Sequence, residues 1–205
     1  MMEARVINLE SGTDRLKFQA EQLTRLGIRW SRIDATNINQ IDPSDSIWET
    51  WERPLRRAEM ACFMSHQKAW QQVVDTKTPL LVLEDDVLLH CSTRSFLKNV
   101  YLSSNDKSVD HITLEIRGRK KFLYRKNHTS LPIRRLFQDR TGAAAYILFP
   151  SGASKLLRAS NKKAAIADAF ISNMRSLKSW QCYPGLAMQI DQCSNYGFSS
   201  PMETH

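Results

Sequence analysis

The sequence predicts an α/β fold with a mainly parallel central sheet, and two observations support this prediction. Residues 5–33 show strand, helix and strand patterns in turn. A second helical pattern at residues 58–75 is followed by an apolar stretch at residues 79–83. Such alternation is typical of parallel sheets covered by helices. The 205 residues are 42% hydrophobic and 24% charged, as in ordinary globular proteins, so we expect one domain spanning residues 1–205.

The first strand-helix-strand unit is the most regular part of the sequence. Residues 5–9 form a short apolar stretch, and residues 28–33 form a second one. Between them, apolar residues recur at helical spacing, and Gly27 is placed where it would end the helix. These apolar residues are Leu16, Ala20, Leu23 and Leu26. Parallel strands need a crossover of this kind, so we expect the two strands to be parallel neighbours.

The rest of the chain continues the alternation less regularly. Residues 35–57 are polar, and we expect a long loop that borders a site. The patterns further predict strands at residues 79–83, 109–116 and 143–149, and helices at residues 58–75, 94–102, 151–157 and 164–177. We expect the tail beyond residue 183 to be irregular.

The net charge of +8 is concentrated in one segment, residues 117–135. This segment contains eight basic residues and no acidic one, and the remaining chain is balanced. We expect a loop or hairpin here, and a local basic patch indicates an anionic partner. Three interpretations stay open, namely a solvated loop, a contact with anionic lipid, and a contact with nucleic acid. The contact with nucleic acid is the least favoured, because no recognised nucleic-acid fold signature accompanies the segment.

The sequence gives no indication of a membrane-spanning or secreted chain. No stretch of about 18 apolar residues is present, and the N-terminus lacks the apolar core of a secretory signal. The four cysteines form no CxxC pair. We therefore expect a cytoplasmic protein without a disulfide framework.

The sequence EDD at residues 84–86 follows the clearest buried strand. Carboxylates at that position require water, a cation or hydrogen-bond donors. In open α/β sheets, ligands bind beyond the carboxyl ends of the strands. Glu84 and Asp86 point the same way in an extended chain, so they could share a Mg²⁺ or Mn²⁺ ion that bridges a nucleotide diphosphate. A solvated acidic loop is the open alternative.

Cys62 and His66 are four residues apart on the helix predicted at residues 58–75. This spacing places both side chains on one helical face, where they could bind a metal ion together. The sequence shows no further ligand beside them. Packing in the helix core is therefore the alternative that we favour for both residues.

Several motifs, in this order, resemble those of the family 25 glycosyltransferases. The motifs are Asn-Leu at residues 8–9, Asp-Arg at residues 14–15, EMACFMSH at residues 59–66 and LEDDV at residues 83–87. Residues 114–115 and 151–157 match further blocks, and the resemblance extends from about residue 5 to about residue 192. The family includes lipooligosaccharide galactosyltransferases of Gram-negative bacteria and their collagen-modifying relatives.

The resemblance implies a GT-A-like fold, a nucleotide-sugar-binding sandwich with a metal site of the DxD type. It implies an inverting transfer of a hexose, most often galactose, from a UDP-sugar, assisted by Mn²⁺ or Mg²⁺. The acceptor would be an anionic glycolipid of the lipopolysaccharide or lipooligosaccharide type. The resemblance therefore implies an enzyme that acts in the cytoplasm, with a peripheral contact to the inner face of the inner membrane. A catalytically inactive nucleotide- or glycan-binding relative is the alternative.

The resemblance also implies site residues at the matching positions. The donor side comprises Asn8, Leu9, Arg15, Glu59, His66, Glu84 and Asp85. Asp86 and Glu84 would bind the metal. Two of these roles have structural alternatives, since Glu59 could pair with neighbouring arginines and His66 could pack in the core.

The base that deprotonates the acceptor has two candidates, Asp168 and Glu115. Asp168 is the preferred one, because it falls where the family has an aspartate at the end of a proline-containing element. The segment at residues 164–168 departs from the family in lacking that proline.

Overall fold

The computed structural model describes residues 2–139 and 142–202. Within these residues the chain forms ten strands and five α-helices, joined by loops and short 3-10 turns. The strands are β1 (Ala4–Asn8), β2 (Trp30–Asp34), β3 (Leu80–Glu84), β4 (Val87–Leu89), β5 (His111–Thr113), β6 (Phe122–Asn127), β7 (Ile133–Gln138), β8 (Ala145–Leu148), β9 (Ser179–Cys182) and β10 (Ala187–Gln189). The helices are α1 (Thr13–Arg25), α2 (Arg57–Thr76), α3 (Thr93–Leu102), α4 (Pro150–Ser160) and α5 (Ala167–Ser172).

Eight of the described strands form one mixed sheet in the order β2-β1-β3-β8-β5-β9-β7-β6. β1 pairs in parallel with β2 and β3, and β5 pairs in parallel with β9. The pairs β3-β8, β8-β5, β9-β7 and β7-β6 are antiparallel. The predicted α/β class is confirmed, and so is the parallel pairing of the first two strands.

The sheet is covered on both faces, as the alternation along β3 demonstrates. Leu81 and Leu83 belong to a core that α1 and α3 complete, for example with Leu23 and Leu97. Leu80 and Val82 face the opposite core, which α2, α4 and α5 complete. Burial on both faces explains why β3 is apolar from Leu80 to Leu83, without the alternation of a half-exposed strand.

The helices match their predicted positions except near Asp168. In the described part of the chain, no helix has both the length and the apolar character needed to cross a membrane. A helix was expected over residues 164–177, but α5 covers only Ala167–Ser172. Ala164 lies before it, and its N–H donates to Thr50 Oγ1 at 2.9 Å. The long loop at residues 35–57 thus contacts the segment that precedes α5.

The tail beyond residue 183 is more ordered than expected. β10 pairs with β4 in antiparallel orientation, with Ala187 opposite Leu89 and Gln189 opposite Val87. Because β4 directly follows the acidic motif at residues 84–86, this pairing brings the tail to the carboxyl end of β3. The prediction of an irregular tail was therefore wrong for residues 187–189.

The basic segment at residues 117–135 contains β6 and the first half of β7. β6 is the last strand of the large sheet and pairs only with β7 among the described residues. Five of its six residues are exposed, and the side chain of Phe122 is 67% exposed. The segment therefore presents basic and aromatic side chains to solvent at one edge of the sheet.

Candidate active site

A cleft of about 510 Å³ lies beyond the carboxyl ends of β1 and β3. Residues 35–39, which follow β2, and one face of α2 form its other walls. Open α/β sheets bind ligands in this position, in the crevice beyond the carboxyl ends of their strands. The fold brings seven of the predicted site residues to the cleft wall: Asn8, Leu9, Arg15, His66, Glu84, Asp85 and Asp86.

Asp85 is held by residues from the first strand-helix unit. Its carboxylate accepts a hydrogen bond from Asn8 Nδ2 at 2.7 Å and pairs with Arg15 at 3.3 Å. Gly12 makes this possible, since a Cβ at that position would lie 2.8 Å from Asn8 Nδ2. Gln19 donates to the backbone carbonyl of Asp85 at 3.2 Å. Asp85 therefore joins α1 and β1 to the turn after β3.

Glu84 is held from the α2 side by a chain of polar contacts. His66 Nε2 lies 3.2 Å from Glu84 Oε1, and His66 Nδ1 lies 3.0 Å from the hydroxyl of Tyr146. Trp70 Nε1 donates to the same hydroxyl at 2.9 Å. His66 is fully buried, so this chain fixes its ring and, through it, one oxygen of Glu84. His66 thus combines the packing role with a contact to the acidic motif.

Asp86 has the least compensated charge of the three acids. Burial, together with the charges of Glu84 and Asp85, raises its pKa to about 6. The amide of Gln189 donates to Asp86 at 3.2 Å and to Glu84 at 3.3 Å, so one neutral donor serves two carboxylates. Hard oxygen ligands with surplus negative charge are what Mn²⁺ and Mg²⁺ bind. Glu84 and Asp86 therefore fit a divalent ion.

Glu115 is fully buried and does not line the cleft. Its Oε2 accepts a hydrogen bond from the Ala144 N–H at 3.2 Å, while Oε1 has no partner among the described residues. Burial and the charge of Glu84 raise its pKa to about 7. A Cβ on Gly142 would lie 2.8 Å from Glu115 Oε2, so only a glycine fits beside this carboxyl group without a shift.

Asp168 lies in a different cavity, of about 320 Å³. Its carboxylate accepts a hydrogen bond from the Ala169 N–H at 2.7 Å. The same cavity is lined by His111, Arg135 and Gly142. Glu115 thus lies between the two cavities, since it contacts Gly142 on one side and is affected by the charge of Glu84 on the other.

Glu59 is not brought to the cleft. Its carboxylate forms two hydrogen bonds with Arg53, at 2.8 and 2.9 Å, and accepts a third from the Arg56 N–H at the start of α2. The helical phase explains this, because Ala58 and Ala61 face the cleft and position 59 points elsewhere. The structural pairing considered for Glu59 is thus observed, with Arg53, and the donor contact stays a prediction.

Gln189 and Tyr146 are the site residues that the sequence analysis missed. Gln189 belongs to the tail, where no pattern marked a strand. Tyr146 is in a predicted strand, but its hydroxyl contact with His66 spans 80 residues of sequence. The sequence did contain one sign of a buried polar contact on α1. Gln19 and Gln22 occupy core-facing helical positions, where apolar residues are the norm.

Comparison with known proteins places the chain in a class. The model of glycosyltransferase family 25 (LPS biosynthesis protein) matches residues 1–171, and the chain belongs to this family. Procollagen galactosyltransferase 1 of Danio rerio is 28% identical over 172 residues, which cover 74% of this chain and 28% of that protein. Lipooligosaccharide biosynthesis protein lic2B of Haemophilus influenzae is 27% identical over 207 residues, covering 91% of this chain and 76% of that one.

Among solved structures, a glycosyltransferase involved in the glycosylation of the major capsid of PBCV-1 is similar to this chain. The TM-score is 0.48 at 8% sequence identity, and the match covers 92% of this chain and 93% of that one. The chain spans only about a quarter of the zebrafish galactosyltransferase but about three quarters of the Haemophilus protein.

The buried carboxyl group of Glu115 predicts a pH-dependent stability. In the folded protein it stays protonated up to a pKa of about 7, whereas the unfolded chain ionises it near 4.5. The folded state therefore holds more protons in this window, and stability falls as the pH rises through it. We expect Glu115→Gln to raise the free energy of unfolding, relative to wild type, by about 2–3 kcal/mol more at pH 8 than at pH 5.

Urea denaturation at the two pH values measures this difference. The matched control is Glu21→Gln, which changes an exposed glutamate on α1 and should leave the wild-type pH dependence in place. Identical pH dependence in Glu115→Gln and wild type would contradict the burial argument for Glu115.

Proposed function

We propose that this chain transfers a hexose, with galactose as the first candidate, from a UDP-sugar to a sugar of a lipopolysaccharide or lipooligosaccharide acceptor. The transfer would be a single displacement with inversion. The observation that carries this proposal is the pair Glu84 and Asp86, whose undercompensated carboxylates face a cleft at the carboxyl ends of β1 and β3. The names of the relatives, a galactosyltransferase and a lipooligosaccharide biosynthesis protein, support the substrate class.

The donor half of the proposed site rests on the cleft residues. Glu84 and Asp86 would hold Mn²⁺ or Mg²⁺, which when bound would neutralise the charge on the departing diphosphate. Gln189 and His66 keep the two carboxylates in place. Arg15 is 40% exposed at the cleft wall, so its guanidinium is available to a diphosphate as well as to Asp85.

Asp168 is the base that we propose for the acceptor hydroxyl. It lines an open cavity, where a sugar hydroxyl can approach its carboxylate. Glu115 is buried, and the backbone of Ala144 already occupies one of its oxygens. A general base must come within hydrogen-bond reach of the proton that it abstracts, which favours the accessible carboxylate.

The basic hairpin, residues 117–138, is the part of the surface that we propose as the contact with anionic glycolipid. Phe122 and Phe137 are 67% and 58% exposed, and their ring centroids lie 6.0 Å apart. Exposed aromatic rings beside lysines and arginines suit the boundary between lipid headgroups and acyl chains. The proposed location is accordingly the cytoplasm, with peripheral contact to the inner membrane.

The metal-binding role of Asp86 is tested by UDP release. With Mn²⁺ and a panel of UDP-sugars, we expect one donor to be turned over and Asp86→Asn to lower turnover by roughly 100-fold or more. Asp75→Asn, a change of an exposed aspartate on α2, should retain wild-type turnover. UDP binding without turnover of any donor, even with lipooligosaccharide as acceptor, would indicate a binding-only relative.

The choice of base is tested by comparing two isosteric variants. We expect Asp168→Asn to lower kcat by roughly 10²–10⁴-fold with little change in KM for the donor, and Glu115→Gln to retain turnover. The contrary result would be loss in Glu115→Gln alone. In that case the wild-type rate should rise with pH through about 7, where the buried carboxyl group of Glu115 ionises.

The hairpin proposal is tested with lipid vesicles. Replacing Arg125 and Lys126 by Ala should weaken binding to anionic phosphatidylglycerol vesicles by roughly 30-fold, at about 1 kcal/mol for each charge. The control replaces Lys17 and Lys162, which are exposed elsewhere. Equal binding of both variants to these vesicles would contradict the proposal. So would salt-sensitive oligonucleotide binding in the absence of vesicle binding, which would point to nucleic acid.

A further inference from the structure

A second group of metal-ligating side chains lies beside the acidic motif. Cys62 and His66 occupy successive turns of α2, and Glu84 ends the strand next to them. One ligand atom from each, a thiol sulfur, an imidazole nitrogen and a carboxylate oxygen, lies within 4.8 Å of the others. The sequence analysis considered only Cys62 and His66 as a ligand pair, and the fold brings Glu84 to them as a third ligand.

We propose that Cys62, His66 and Glu84 form a binding site for a thiophilic ion, with Zn²⁺ as the first candidate. Zn²⁺ takes thiolate, imidazole and carboxylate ligands in tetrahedral geometry, and three protein ligands leave one position open. Mn²⁺ and Mg²⁺ prefer oxygen ligands. The chemistry of the ligands therefore separates this site from the Glu84 and Asp86 pair, although both include Glu84.

The surroundings of His66 suit a metal ligand. A ligating histidine normally uses its other ring nitrogen in a hydrogen bond that orients the ring. Here Nδ1 lies 3.0 Å from the Tyr146 hydroxyl, and Nε2 lies 3.2 Å from Glu84 Oε1. The Tyr146 oxygen can accept from both Trp70 and His66, because a phenol oxygen carries two lone pairs. In the neutral ring with its proton on Nδ1, the Nε2 lone pair is then free to bind the ion.

The site is also accessible. Cys62 is partly exposed and lines the 510 Å³ cleft, as do His66 and Glu84. An ion can therefore enter from the cleft, and its fourth position would face the cleft. Binding requires the Cys62 thiol to lose its proton, so affinity for the ion should rise with pH.

Sharing of Glu84 makes the two metal sites compete. An ion on Cys62 and His66 occupies the carboxylate that the Glu84 and Asp86 pair needs. Zn²⁺ should therefore inhibit Mn²⁺-dependent UDP release, and this consequence rests on the proposed function. Binding of Zn²⁺ itself does not, because it involves neither nucleotide nor acceptor.

The experiment is metal titration of the whole, metal-stripped chain without nucleotide. We expect one Zn²⁺ per chain by competition with a chromophoric chelator, and a thiolate-to-cobalt charge-transfer band when Co²⁺ is used as the probe. Loss of a hydrogen bond that supports a metal ligand typically lowers metal affinity about 10–100-fold. Cys62→Ser removes a ligand itself, so we expect it to lower the Zn²⁺ affinity by roughly 100-fold or more. Cys91→Ser, which changes an exposed thiol, should bind as wild type.

Two outcomes would overturn the site. They are wild-type Zn²⁺ affinity in Cys62→Ser and absence of the thiolate band in the wild-type cobalt spectrum. Wild-type affinity in Cys62→Ser together with loss of Zn²⁺ binding in Asp86→Asn would place the ion on the acidic pair instead. A chain that binds Zn²⁺ through Cys62 but releases no UDP from any donor would leave this site standing and contradict the proposed transferase activity.

Discussion

Crowding of negative charge at the end of β3 is the constraint on which the rest of the site depends. Three consecutive carboxylates follow a strand that is buried on both faces, and Glu115 adds a fourth acid close by. Such a group is costly to bury without donors or cations. Side chains from three parts of the chain offset this cost. Arg15 on α1 pairs with Asp85, His66 on α2 contacts Glu84, and Gln189 in the tail donates to Asp86.

The three carboxylates at residues 84–86 are not equally well compensated by hydrogen-bond donors and cations, and this difference has a chemical consequence. Asp85 has a cation and an amide of its own, and Glu84 has a buried histidine. Asp86 shares one neutral amide with Glu84, and its pKa is raised to about 6. Asp86, the carboxylate with the fewest compensating partners, therefore lies next to the cleft, where a bound divalent ion would offset its charge. The same carboxylate of Glu84 is within reach of a thiol and an imidazole, which extends the range of ions that the site can select.

Local apolar patterns were sufficient to predict β1, α1, α2 and β3 as elements, whereas the family resemblance, and not these patterns, indicated Asn8 and Asp85 as donor-side residues. The parallel pairing of β1 and β3, which brings Asn8 to Asp85, was not predicted. The contacts of Gln189 were not predictable, because they arise from pairing of β10 with β4 across about 100 residues. The contact of Thr50 with the backbone of Ala164, just before α5, was not predictable either, since it joins residues 114 positions apart.

The two candidate bases show a property that sequence patterns could not predict, namely how deeply each carboxyl group is buried. Glu115 ends a strand-like pattern and Asp168 lies in a helical one, and neither pattern gives its burial. Packing against Ala144 and Gly142 makes Glu115 inaccessible, whereas the short α5 leaves Asp168 at the edge of a cavity. Only the tertiary structure separates a buried carboxyl group from one that a substrate can reach.

Anomalous diffraction from crystals grown with UDP and Mn²⁺, measured at the manganese absorption edge, would show whether the acidic pair holds the metal. We expect one anomalous peak between Glu84 and Asp86, within about 2.3 Å of an oxygen of each, with the diphosphate on its cleft side. A manganese peak beside Asp168 in the second cavity, or UDP ordered in the cleft with no manganese at the acidic pair, would contradict this expectation.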